Sequence, residues 1–79
     1  MIMIPNSLIT VFTKHLKSSN ELYAELKLLS YNLCEERLIT SLFPMPDNLL
    51  IICRMLIERR IPFSVHFTEK IVAEFNGNT

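Results

Sequence analysis

One glycine, Gly77, stands among the 79 residues. Loops that cradle phosphate close backbone N–H groups on the anion with several glycines, so a P-loop or a dinucleotide-binding turn is excluded. Paired metal ligands are missing too. Cys34, Cys53, His15 and His66 each stand alone, whereas structural zinc sites draw on close pairs such as Cys-x2–4-Cys or His-x3–5-His. No metal and no cofactor is expected. An excess of charge of either sign is absent as well: eight Lys and Arg balance eight Asp and Glu. Proteins that live by neutralising phosphates need surplus cations, and mimics of nucleic acid need surplus acid.

Long apolar runs are also lacking. A membrane helix needs about 18 or more apolar residues, and Lys or Arg interrupts every candidate here. The opening MIMIPNS has neither a basic region nor a small-residue cleavage site, so no secretory signal is expected. The cytoplasm is the expected compartment, with Cys34 and Cys53 as reduced, buried small hydrophobes. Nucleophilic chemistry finds little support. Cys53 sits among Ile52 and Met55, and Cys34 precedes Glu35 and Glu36, whose charges oppose a thiolate. Those two carboxylates read as a solvated face. An enzyme is not expected.

Apolar residues make up 49% of the chain, enough for one small domain over residues 1–79. A chain of this length buries only about 60–65% of its unfolded surface, so any apolar surplus matters. MIMI reads as an edge strand or a frayed tip. After it, Asn6 or Ser7 can cap a helix in which Leu8, Phe12 and Leu16 recur at i, i+4, i+8. Ser18-x-x-Glu21 has capping-box spacing, and Leu22, Leu26, Leu29 and Leu33 form one stripe of a second helix. The stripe then loses register, which predicts a bend or short helix around Glu35–Leu42, stopped by Pro44 and Pro46. Asp47 caps a third helix reaching Arg60. In the tail, Phe63, Val65 and Phe67 alternate with polar residues. A turn at Thr68–Lys70 would set Phe67 against Ile71, Val65 against Ala73 and Phe63 against Phe75; the rival is a strand followed by a short helix ended by Gly77. The fold class expected is α+β, three to four helices with a C-terminal β-hairpin, with an all-α bundle as the alternative.

The third helix is the most informative stretch. In NLLIICRMLIERR, Asn48–Arg60, only Arg54 breaks the apolar run between Leu49 and Ile57. At about 100° per residue, Leu49, Ile52 and Leu56 share one side and Asp47, Arg54 and Glu58 the other. Leu50, Cys53 and Ile57 form an extra flank at i, i+3, i+7, the spacing of a helix–helix seam. Either that flank packs inside the chain or, with Arg54 beside it, it meets another protein. These residues lead to a small non-enzymatic regulator, adaptor or inhibitor that acts by protein contact, as a homodimer. The alternative is a winged-helix-like DNA-binding regulator, in which Arg59 and Arg60 would touch nucleic acid. The dipole at a helix C-terminus explains that arginine pair without a ligand.

Overall fold

The computed structural model describes residues 7–67 and 70–77. The MIMI segment, the Asn6 cap and the Thr68–Glu69 part of the expected turn lie outside them. Ser7–Phe12 is a strand, β1, where spacing predicts the first helix. Ile9, Thr10 and Val11 are β-branched and suit a pleated surface better than a helix. Ile9 and Val11 are buried while Phe12 is exposed, so the working period is two. The i, i+4, i+8 spacing of Leu8, Phe12 and Leu16 is incidental: Leu16 ends a separate one-turn helix, α1 (Thr13–Leu16).

Helix α2 runs from Asn20 to Leu29, capped by Ser19 and not by Ser18. The Ser19 hydroxyl oxygen accepts from the Leu22 N–H at 3.2 Å, while the Ser18 hydroxyl donates to the His15 carbonyl. The leucine stripe outlasts the helix, because Ser30–Glu35 departs as strand β2. The helix end is satisfied from elsewhere: the Leu29 carbonyl accepts from the Met45 N–H and from the Asn48 amide, both at 3.2 Å. The bend or short helix expected around Glu35–Leu42 is a hairpin, with β2 turning into β3 (Ile39–Pro44). Thr13 pins that turn. Its hydroxyl donates to the Glu36 carbonyl at 2.7 Å, so the 2.9 Å contact with Thr40 has the Thr40 hydroxyl donating. Its N–H reaches the Leu38 carbonyl.

A 3₁₀ turn, Pro46–Asn48, leads into α3, Leu49–Glu58. Its end is a Schellman motif: the Arg60 N–H donates to the Ile57 carbonyl and the Ile61 N–H to that of Leu56, both at 2.9 Å. Arg60 accordingly sits at φ 57°, in the left-handed region where glycine is the usual occupant. Strands β4 (Phe63–Phe67) and β5 (Lys70–Phe75) close the fold. Phe63 faces Phe75 and Val65 faces Ala73, but a bulge then sets His66, not Phe67, opposite Ile71.

The expected mainly helical domain, three to four helices with only a C-terminal hairpin as sheet, is overturned, and so is the all-α alternative; the antiparallel pairing of the tail is found, as β4 with β5. The molecule is a five-stranded antiparallel sheet in the order β2-β3-β1-β4-β5. Strand β1 lies between β3 and β4, and α2 and α3 make the crossovers. This is the split β-α-β arrangement, with β5 added beside β4. One core holds it together: Ile9, Val11, Leu42, Phe63 and Val65 from the sheet meet Leu22 and Leu26 of α2 and Ile52 and Leu56 of α3. Both ten-residue helices therefore cover the same face of the sheet.

Candidate functional site

With Ile52 and Leu56 directed into the core, the helical repeat of about 100° per residue decides what α3 shows outside. Arg54 lies opposite them. Leu50 and Ile57 flank it on one side, Glu58 and Ile51 on the other. Leu50 is 79% exposed, Ile51 48% and Ile57 42%. Leaving them wet is costly, since burying one such side chain is worth about 1.5–3 kcal/mol. Cys53 is half-buried against the core, and that burial pushes its thiol pKa up, away from nucleophilic chemistry. Cys34, expected to be buried, is exposed on the edge strand β2. Of the sequence-selected residues, Leu50, Arg54 and Ile57 share one exposed patch and Cys53 borders it. Arg59 and Arg60 are exposed at the helix end, where backbone hydrogen bonds account for the conformation.

A second surface was invisible until β1 and β3 were known. The sheet face turned away from the helices carries Leu8, Phe12, Ile39, Phe43 and Ile71 among polar neighbours. Phe12 is 50% exposed, and Phe43 and Ile71 are exposed as well. Strand pairing lays one polar row across all five strands of this face: Cys34 opposes Ser41, Ser41 opposes Thr10, Thr10 opposes Ser64 and Ser64 opposes Glu74. On one side of the row Phe12 pairs with Ile39. On the other, Leu8 pairs with His66, and His66 with Ile71. The His66 ring is held by a 3.2 Å hydrogen bond between Nε2 and the Thr10 hydroxyl. A shallow concavity of about 490 Å³ opens at the Phe12 end, walled by Phe12, Ile39, Pro62 and Glu74. Alternation in ITVFT and LITSLF was the signal that would have revealed this face. The four-residue leucine spacings around both segments masked it.

The groups in the concavity, Thr10, Ser64, His66 and Glu74, are spread over three neighbouring strands with His66 engaged by Thr10. Among the described residues, no three His, Cys, Asp or Glu side chains converge as metal ligands. No helix of the described residues is long and apolar enough to cross a membrane. Set beside known proteins, the chain matches no family model, no curated protein and no solved structure.

Proposed function

We propose that this chain is a small non-enzymatic regulator, adaptor or inhibitor that docks on another protein through the outer side of α3. One observation carries the reading: Leu50, Ile51 and Ile57 are exposed together around Arg54. Binding surfaces concentrate their energy in apolar anchors with an arginine among them. The partner that fits is a helix or groove with apolar pockets and a carboxylate placed for Arg54. A copy of this helix centred on Arg54 would set guanidinium against guanidinium, so this patch suits a different protein better than itself. The exposed Cys34 thiol, unpaired, suits a reducing compartment such as the cytoplasm. Nucleic acid has less support, because the three-helix outline of a winged helix is not the fold and α3 offers mostly apolar side chains outward.

Affinity capture with the full chain tests this, using Leu50→Glu and Ile57→Glu against Leu28→Glu, an equally exposed site on the other helix. The expected result is one protein retained by the wild type and by Leu28→Glu, and lost with both α3 variants while their circular dichroism is unchanged. Equal retention by all four proteins would refute docking through α3.

A further inference from the structure

We infer that the helix-free face of the sheet is a self-association surface, where a second copy of this chain packs sheet against sheet and leaves α3 free. An antiparallel sheet with one solvated face ordinarily alternates apolar-in with polar-out. Here the outer face places Phe12 and Ile39 at one end and Leu8, Phe43 and Ile71 at the other, divided by the polar row from Cys34 to Glu74. That banding is self-complementary. A two-fold axis along the row sets the Phe12–Ile39 end of one copy over the Leu8–Phe43 end of the other. It also lays Ser41, Thr10 and Ser64 over their own counterparts, and each hydroxyl both donates and accepts.

Charge permits the same occupant. The outward positions of β1 to β4 carry no Lys or Arg, Glu74 sits on the edge strand, and the whole chain is formally neutral. The axis does set Glu74 over its own counterpart at the exposed outer end of the row, the one like-charge contact this pairing makes among the described residues of the row. Base stacking on exposed aromatics, the competing use of such a face, calls for a cationic groove along the backbone, and these strands supply none.

Size and edges agree with it. Five strands about 4.8 Å apart, each about 20 Å long, give a footprint near 500 Å². Covering it from both copies removes on the order of 1,000 Å² or more of surface, the lower range for a specific interface. Pairing through the sheet edges is the less favourable route. Each edge strand contains a register shift, between Ser30 and Asn32 in β2 and opposite Val65–His66 in β5, and each carries charge, Glu35 or Glu74. Bulges and charges are the devices that blunt edges.

Sedimentation of the full chain from nanomolar to high micromolar concentration is the test. The wild type is expected to pass from monomer to dimer. Ser64→Arg, beside the central Thr10 of the row, should weaken association by about tenfold or more through like charges facing each other. Mixing Ser64→Arg with Ser64→Asp should restore it, a rescue that misfolded protein cannot give. Phe43→Arg is the second variant should Ser64→Arg fail to fold. A monomer throughout, a dimer broken by Leu50→Glu but indifferent to both face variants, or a monomer that takes up a labelled single-stranded oligonucleotide would each overturn the inference.

Discussion

Helices α2 and α3 are matched in length and duty but not in dress. Each has ten residues, each lies on the same face of the sheet, and each sends an i, i+4 pair into the core: Leu22 and Leu26 from one, Ile52 and Leu56 from the other. Their outer sides diverge. Around α2 stand Asn20, Glu21, Ala24 and Lys27, with Leu28 the one large apolar side chain among them. Around α3 stand Leu50, Ile51 and Ile57 with Arg54 and Glu58. The shared architecture shows what the fold demands of such a helix, and an apolar outer side is no part of it. What α3 carries beyond α2 calls for a cause outside the core.

The largest effect should fall on what the two helices share. Leu26→Ala and Leu56→Ala each remove a fully buried side chain, a change that costs about 2–5 kcal/mol. Small domains are marginal, with total stabilities starting at about 5 kcal/mol, so urea midpoints should fall steeply and by similar amounts. A mild effect at Leu56 beside a severe one at Leu26 would break the equivalence and make α3 a loosely attached element.

The two helices also end differently, and a smaller effect is expected there. Helix α2 passes directly into extended Ser30, while α3 closes through left-handed Arg60. A side chain in that region costs about 1 kcal/mol relative to glycine. Arg60→Gly should therefore stabilise the protein by about 1 kcal/mol and raise the melting temperature by about 4–8 °C. Destabilisation would show that the arginine side chain contributes more than its backbone costs. Gly77, the sole glycine, is already used at φ 86°, close against the Arg60 carbonyl and Pro62.

What was legible in the sequence follows from how far each signal extends. In α3 the apolar repeat runs without competition, so its buried side is readable at Ile52 and Leu56, while spacing alone leaves Leu50 and Ile57 open between core and surface. In the Phe63–Phe67 strand, alternation is unopposed as well. Around β1, β2 and β3 two periods overlap. Leu22, Leu26, Leu29 and Leu33 keep helical spacing across a chain that becomes strand at Ser30, and Leu8, Phe12 and Leu16 keep it across a strand and a separate turn. Apolar residues at i, i+4 satisfy an even strand period too, so spacing alone favoured helix where β-branched Ile9, Thr10 and Val11 favoured strand. The polar row of the outer face was unreadable for a different reason: it exists only once non-local pairing brings Cys34, Ser41, Thr10, Ser64 and Glu74 side by side.

The smallest expected effect is the most diagnostic. Leu50→Lys on α3 and Leu28→Lys on α2 replace side chains that are 79% and 78% exposed. Surface substitutions away from caps, buried pairs and strained backbone usually change stability by no more than about 0.5 kcal/mol. Lysine is a good helix former, so propensity opposes neither variant. Both denaturation midpoints should stay where they were, and on that measure the two leucines should be interchangeable. They should part company only in binding, where Leu50 matters and Leu28 does not. If Leu50→Lys instead costs well over 1 kcal/mol while Leu28→Lys costs nothing, some part of this chain covers Leu50 in solution. The apolar outer side of α3 would then belong to the fold, and docking through it would lose its physical basis.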